Sequence, residues 1–161
     1  MAASADGAGR ASPGGRQALT VTLDHAGLSV ADLEASEAFY RRALGFEREV
    51  AFELPGGIRG LMLRLPSGGR LELFEHPSPD GGLTPESPLT ALATRGYGHF
   101  AVGTPEIEAV YERALAAGAA EKVSPRPSPE PGVRFAFVAD PEGNLVELVE
   151  RRNGLAGAES S

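Results

Sequence analysis

Residues 23–47, LDHAGLSVADLEASEAFYRRALGFE, have the pattern of a strand followed by an amphipathic helix. The segment Leu19–Val30 is rich in Val, Leu and Thr, which favours a strand. Asp32 is a suitable N-cap for the helix, and Gly45 stands where a helix-terminating glycine is expected. The predicted inner face of this helix consists of Leu33, Ser36, Tyr40, Ala43 and Leu44.

Three strand-like runs follow this helix, and Pro/Gly-rich turns separate them. The runs are Glu47–Leu54, Arg59–Leu65 and Arg70–Glu75. Together with the opening strand and helix they predict one βαβββ unit.

The same order of elements recurs in the second half of the chain. A second helix is predicted to start at Thr104, with Pro105 at its first position, and to end at Gly118. Its apolar stripe is Ile107, Val110, Tyr111, Ala114 and Leu115. The predicted strands around it are Gly98–Val102, a weak one at Lys122–Ser124, Val133–Ala139 and Leu145–Glu150. A turn at 140–144, DPEGN, separates the last two, and 124–132 is predicted to be a proline-stiffened loop.

The spacing of polar landmarks supports a duplication. His25 precedes Glu72 by 47 residues, and His99 precedes Glu147 by 48. The sequence therefore predicts an α+β fold in which two βαβββ modules form a curved, barrel-like mixed sheet around a concave metal site. The predicted parts are a disordered tail over 1–18, modules over 19–76 and 97–152, a linker with a short helix over 77–96, and a disordered tail over 153–161.

Composition excludes several classes of protein. The chain has 161 residues, a net charge of −7 and no cysteine, which excludes disulfides and thiolate metal sites and disfavours nucleic acid and anionic membranes as partners. No run of 18 apolar residues and no signal-peptide pattern is present. We expect a cytoplasmic protein with a small-molecule substrate.

Four side chains are candidate metal ligands. Leu71 and Leu73 flank Glu72, and Val146 and Leu148 flank Glu147, so strand alternation turns both glutamates away from the helices. His25 and His99 open the corresponding modules and can face the same concavity. The predicted metal site is His25, Glu72, His99 and Glu147.

The charge of this group favours a divalent cation. Two ionised glutamates in a partly dry cleft repel each other, and a doubly charged ion neutralises them. Two nitrogens and two oxygens suit Zn, Ni, Co, Fe or Mn better than Ca. Glu75 and Glu150 lie three residues after the ligands and are predicted to face the other side of the sheet. His76 is predicted to be a rim residue.

Four segments together resemble the vicinal-oxygen-chelate superfamily, which includes glyoxalases, bleomycin resistance proteins and extradiol dioxygenases. They are residues 23–47 and the runs LELFEH at 71–76, GYGHFAV at 96–102 and VADPEGNLVELVE at 138–150. The resemblance covers residues 19–152. It implies the same four ligands, and the complete His/Glu/His/Glu set is similar to that of glyoxalase I.

The resemblance does not extend to the glutathione-binding positions of glyoxalase I. Those positions are four residues after the first histidine and four after the second ligand, and here they hold Ser29 and His76. The connection before His99 is more similar to that of epimerases of the superfamily.

The predicted activity is that of a metal-dependent lyase or isomerase that moves a proton next to a carbonyl, with Glu147 or Glu72 as the base. Two alternatives remain: an Fe(II)-dependent dioxygenase that uses His25, His99 and Glu147, and a non-catalytic antibiotic- or metabolite-binding protein. Arg59 is a further candidate for orienting an anionic substrate. The predicted substrate-binding residues are Arg70, Phe74, His76, Tyr97, Arg134, Phe135 and Phe137. A homodimer is expected because the modules leave open sheet edges.

Overall fold

The computed structural model describes residues 21–82 and 84–151, which contain eight strands and three helices in the order βαβββ, α, βαβββ. The first module contains β1 (His25–Val30), α1 (Leu33–Leu44), β2 (Glu47–Leu54), β3 (Ile58–Arg64) and β4 (Arg70–Glu75). The linker contains α2 (Pro88–Ala91). The second module contains β5 (Phe100–Gly103), α3 (Ile107–Ala116), β6 (Ala120–Pro127), β7 (Val133–Ala139) and β8 (Leu145–Arg151). The predicted terminal tails, 1–18 and 153–161, lie outside the described residues.

The two modules have the same sheet topology. The strand orders are β1-β4-β3-β2 and β5-β8-β7-β6, with the first pair parallel and the others antiparallel in each sheet. The α+β prediction of two βαβββ modules is therefore confirmed. The barrel-like sheet is not, because the two sheets stay separate and no strand of one pairs with a strand of the other among the residues described.

The first strand is shorter than predicted. It begins at His25, which pairs with Arg70 at the start of β4, its only neighbour in the sheet. Residues 66–69 before Arg70 form a turn, so residues 21–24 have no partner strand to extend along. Val21 and Leu23 are consequently almost fully exposed.

The sixth strand is longer than predicted. It extends over residues 120–127 despite Pro125 and Pro127, where a loop was expected. This strand is the edge of its sheet, and its register with β7 shifts at Val123 and again before Arg126. Prolines are tolerated at an edge because the missing N–H groups leave no ladder hydrogen bond unmade.

Local side chains determine where the helices begin and end. The Asp32 side chain accepts a hydrogen bond from Ala35 N at 2.8 Å, and Gly45 at φ 77° ends α1 as predicted. The third helix starts at Ile107, later than predicted, because Thr104 Oγ1 accepts from Glu106 N and makes a turn before the helix. The second helix lies in the linker, as predicted, and begins after a capping box that Ser87 and Thr90 form.

The modules are joined by their helices. The first and third helices pack against each other, and side chains from both modules form one core cluster. Tyr40 on α1 is fully buried in this core, where its hydroxyl donates to Asp140 Oδ2 at 2.6 Å. Glu142 accepts hydrogen bonds from Ala31 N and Asp32 N at the start of α1. The 140–144 turn of the second module is thus attached to the first helix.

No helix within residues 21–82 and 84–151 is long and apolar enough to span a membrane.

An ion pair on α1 links stability to pH. Glu37 is 6% exposed and accepts hydrogen bonds from Arg48, including Nε at 3.0 Å. These bonds lower the pKa of Glu37 below its ordinary value of 4.5, so its contribution is present above that value and is lost as the pH falls through the depressed pKa. We expect E37Q to lower the free energy of unfolding by about 1–3 kcal/mol at neutral pH. In urea titrations the difference from wild type should shrink as the pH falls below 4.5. A difference that does not change with pH would contradict this, and E53Q, on an exposed strand position, is the matched control.

Candidate metal centre

In the first module, strand alternation separates Glu72 from the core. Its neighbours Leu71 and Leu73 are buried toward α1, whereas the Glu72 side chain lies on the opposite face and is 17% exposed. β1 runs parallel to β4 at this point, with Gly27 opposite Glu72. His25 at the start of β1 therefore lies beside the carboxylate, and its Nε2 is 3.2 Å from Glu72 Oε2.

The second module repeats this pair. Val146 and Leu148 are fully buried, and Glu147 between them faces the other way. His99 immediately precedes β5, and its Nε2 lies 3.1 Å from Glu147 Oε2. The edge of the His99 ring packs against Phe137 at a centroid distance of 5.0 Å.

Each pair is in direct hydrogen-bonding or ion-pair contact, and the same separation suits two adjacent ligands of one ion. Ligand atoms at about 2.1 Å from a cation in neighbouring octahedral positions lie about 3.0 Å apart. The measured separations of 3.2 and 3.1 Å match that spacing. The donor set, one imidazole nitrogen and one carboxylate oxygen in each pair, also suits a first-row divalent ion.

The four predicted ligands form two pairs and not a single cluster. Among the described residues, the one group of three or more ligating side chains with donor atoms all within 4.8 Å is Asp32, Glu34 and Glu75. The strands that carry the two pairs belong to different sheets, and the modules meet through α1 and α3. One chain thus holds two separate His–Glu pairs, which we call candidate half-sites.

The acidic group at Asp32, Glu34 and Glu75 is already neutralised by an arginine. Arg59 binds Glu34 and Glu75, with Nη2 to Glu75 Oε2 at 2.6 Å, and Leu33 N donates to the same Glu75 oxygen. Hydrogen bonds from Arg59 lower the pKa of both glutamates. A cation at this position would have to displace the guanidinium, so the group is an ion-pair network that attaches α1 to its sheet.

The second module contains the equivalent network, which the sequence reasoning missed. Arg134 binds Glu108, at the start of α3, and Glu150, with Nη1 to Glu150 Oε2 at 3.0 Å. The spacing would have identified it: Arg59 and Arg134 each precede the ligand glutamate by 13 residues, and Glu34 and Glu108 each follow the ligand histidine by 9. The prediction that Glu75 and Glu150 face away from the ligands agrees with these contacts.

The predicted substrate-binding residues separate into two groups. Phe74, Phe135 and Phe137 share the face of the ligand glutamates, as their strand register requires. Phe52, which was not predicted, packs on Phe74 and fills the space over Gly60, where a Cβ would lie 2.3 Å from its ring.

The polar candidates are placed differently. Arg134 lies on the helix-facing side, where its guanidinium binds Glu108 and Glu150, and Arg59 is engaged in the same way. His76 is at the strand end, with Nδ1 contacting Ser78. Tyr97 is 62% exposed in the linker.

Arg70 supports His25 through a second carboxylate. Its guanidinium binds Glu49 and also Asp24 Oδ1 at 3.4 Å. The other Asp24 oxygen lies 2.9 Å from His25 Nδ1. This hydrogen bond raises the pKa of His25 and directs its Nε2 toward Glu72. His99 follows Gly98, so the two half-sites differ in this respect.

Substitution of Asp24 therefore tests whether the chain orients His25 for a metal. We expect D24N to weaken metal binding by about 10–100-fold, because the imidazole loses the carboxylate that orients it. Competition with a chelator measures the dissociation constant. E53Q removes one negative charge at an exposed strand position and should have no effect. A D24N affinity within twofold of wild type would contradict the role of Asp24.

A cavity lies at the C-terminal ends of β1 and β4, next to the 140–144 turn. It has a volume of about 290 Å³, and its lining includes Ser29, His76, Asp80 and Glu142. No arginine or lysine contributes to this lining among the residues described.

Comparison with known proteins gives consistent results. A family model described as the Glyoxalase/Bleomycin resistance protein/Dioxygenase superfamily matches residues 22–148. A probable lactoylglutathione lyase from Vibrio cholerae is 36% identical over 63 residues, which are 39% of this chain and 46% of that protein. The chain thus matches less than half the length of this curated relative.

Solved structures share the fold. A glyoxylase/bleomycin resistance protein/dioxygenase domain from Frankia sp. superposes with a TM-score of 0.70 at 22% identity, over 84% of this chain and 96% of that one. Glyoxalase I from Zea mays gives a TM-score of 0.65 at 22% identity, over 79% of this chain and 43% of that one.

Proposed function

Because this chain belongs to the Glyoxalase/Bleomycin resistance protein/Dioxygenase superfamily, we propose that it is a divalent-metal-dependent lyase or isomerase. The substrate is a small molecule that presents two vicinal oxygens, one of them a carbonyl oxygen. The reaction is the transfer of a proton from the carbon next to that carbonyl.

The observation that carries this proposal is the repeated His–Glu pair. Two half-sites with Nε2–Oε2 separations of 3.2 and 3.1 Å occur at matching positions of a duplicated module. A protein that only sequesters a ligand has no use for two such carboxylates on apolar strands. Together the pairs supply the two nitrogens and two oxygens of a site for Zn, Ni, Co, Fe or Mn.

The carboxylates of the site also supply the base. When bound, a divalent cation would polarise the two substrate oxygens as a Lewis acid. Glu147 or Glu72 accepts the proton from carbon and returns it to the substrate, so no atom is gained or lost in an isomerisation. Phe137, which packs on His99, supplies an apolar surface on that side of the site.

The substrate is proposed to differ from a glutathione adduct. Ser29 and His76 line a cavity in which the carboxylates Asp80 and Glu142 supply negative charge. The glutathione carboxylates would meet negative charge there and no compensating cation. The similarity to the Vibrio cholerae protein supports related chemistry, not the same substrate.

The complete site is proposed to form between two copies of this chain. Each chain presents a His25–Glu72 half-site and a His99–Glu147 half-site on separate sheets joined by α1 and α3. In a twofold dimer the first half-site of one copy can face the second half-site of its partner, and the symmetry then produces two identical sites. The exposed edge strands β1 and β5 are available for this contact.

Metal content and proton exchange test the activity together. The protein is loaded with each candidate metal, analysed by elemental analysis, and incubated in D₂O with a panel of 2-hydroxyketones and 1,2-dicarbonyls. We expect about one metal per site and metal-dependent exchange of the C–H next to the carbonyl, which E147Q reduces more than about 100-fold. The control E53Q makes the same chemical change on an exposed strand position.

Each contrary outcome has a distinct meaning. Failure of wild-type protein to bind any of these metals would overturn the proposal and leave the binding-protein alternative. Metal binding with O₂ uptake but no exchange would replace it with the dioxygenase alternative.

A further inference from the structure

The largest cavity among those described lies beside the second half-site, and nothing in the proposed chemistry uses it. It is a cleft with a volume of about 420 Å³, lined by the linker, the short helix α2 and the start of β8. An apolar cavity of about 150 Å³ holds benzene, so this one has room for a substituted ring.

The wall of this cavity is held in place by specific contacts. Lys122 Nζ donates to the carbonyl oxygens of Pro85 and Glu86, both at 3.2 Å. Thr84 packs over Gly143 so closely that a Cβ there would lie 2.7 Å from its methyl group. The linker segment is thereby attached both to β6 and to the 140–144 turn.

The cavity adjoins the metal ligands of the second module. Gly98, which precedes His99, is part of its lining, and so is Leu145. Leu145 and Glu147 are in phase on β8, which places them on one face about 7 Å apart. Leu145 also packs in one cluster with Phe137, the residue that contacts His99.

The lining is suited to an uncharged group. Thr84, Thr94 and Tyr97 bring hydroxyls, and Ala91 and Leu145 bring apolar surface. Asn144 Nδ2 donates to Asp140 Oδ2 at 3.0 Å, which fixes its amide. Among the described lining residues, Glu86 is the one that carries a charge. Lys122 is not in the lining, and its ammonium group donates to the backbone carbonyls of Pro85 and Glu86. A carboxylate or phosphate in this cavity would be repelled by Glu86 and would find no cationic partner among the described lining residues.

We propose that this cavity binds the distal part of the substrate, and that this part is an uncharged ring bearing hydrogen-bonding substituents. The assignment to the substrate rests on the proposed function. Leu145 in the cavity wall is two residues from Glu147 on the same face of β8, so one molecule can occupy the cavity and reach the carboxylate. The substrate is therefore a vicinal-oxygen compound with a neutral ring, not one attached to an anionic carrier.

Three probes of equal shape test the charge preference: 4-hydroxybenzamide, 4-hydroxybenzoate and 4-hydroxybenzamidine. Binding to the full-length protein is measured by ligand-detected NMR and calorimetry, with the metal loaded and again after treatment with a chelator. We expect the neutral amide to bind at least 10-fold more tightly than the anion in both conditions. It should also bind more tightly than the cation, because Glu86 is exposed and water screens its charge. Equal or tighter binding of either charged probe would overturn the proposal.

Cavity variants locate the binding. A91W fills the cavity and should weaken amide binding at least 10-fold, whereas L92W adds the same ring to a neighbouring residue that is 72% exposed and should leave it within twofold. T94F is a second filling variant at an exposed lining position, and it serves if A91W fails to fold. Unchanged binding in the folded filling variant would overturn the location. Because the probes are also tested without metal, failure of the metal site and failure of the cavity are separate results.

Discussion

Two inactive variants are expected to restore each other when they form a mixed dimer. H25A/E72Q destroys the first half-site, and H99A/E147Q destroys the second. In a dimer that shares its sites, one mixed site combines both damaged halves and the other combines both intact halves. The purified mixed dimer should therefore hold about half of the wild-type metal and show about half of its proton exchange.

Co-expression with two different affinity tags provides the mixed dimer, and tandem purification removes the parental dimers. Elemental analysis and exchange in D₂O are the measurements. Each variant alone is the control. It should bind no metal and show no proton exchange, since each of its sites then retains only one His–Glu pair. If one chain closed its own site, every site in the mixed dimer would be damaged, and no metal would be recovered. That outcome would contradict the shared site without contradicting metal binding itself.

D140A is expected to destabilise the protein more than the substitution at Glu37. The Asp140 side chain is 3% exposed and accepts four hydrogen bonds. The donors are Tyr40 Oη, Glu142 N, Asn144 N and Asn144 Nδ2, at 2.6, 3.0, 2.8 and 3.0 Å. Burial raises the pKa of Tyr40 well above its ordinary value, so the phenol stays protonated and donates. Alanine would leave these buried donors unpaired and loosen the turn that joins the modules.

We expect a loss of about 3–5 kcal/mol in the free energy of unfolding, measured by urea titration with circular dichroism. This is a large part of the 5–15 kcal/mol that is typical of a domain. Y40F removes one of the four hydrogen bonds and keeps the ring, so its loss should be smaller, about 1–3 kcal/mol. D80A, at an exposed position, should lie within about 0.5 kcal/mol of wild type. A loss below about 1 kcal/mol for D140A would contradict the role of this network.

Much of the fold could be predicted because the signals are local and occur twice. The bounds of β2, β4 and β7 agree with the structure, since alternating apolar residues and Pro/Gly turns specify them independently of the rest of the chain. The errors are in the bounds of β1 and β6, which depend on how each strand pairs with its neighbour in the sheet. Residues 21–24 have strand-like composition but no neighbouring strand, and 120–127 form a strand despite two prolines because they lie at an edge.

The candidate site was predictable to the level of the half-site. Alternation places Glu72 and Glu147 opposite the buried leucines, and the repeat spacing identifies the matching histidines. The same spacing contained the networks around Arg59 and Arg134, which single-residue reasoning had treated as possible substrate contacts. Asp24 was not predicted, because its role depends on which nitrogen of His25 it meets.

The sequence by itself determined two βαβββ modules and the four residues of the His–Glu pairs. These follow from the alternation of side chains along a strand and from a repeat in spacing, and both can be read directly from the sequence. Only the tertiary structure decided that the pairs lie on separate sheets joined by α1 and α3, and that a linker-walled cavity adjoins one of them. The relative position of the two sheets depends on how the buried helix faces pack and on long-range contacts such as that of Tyr40 with Asp140. Because these two residues are 100 positions apart, their contact leaves no periodic pattern in the sequence.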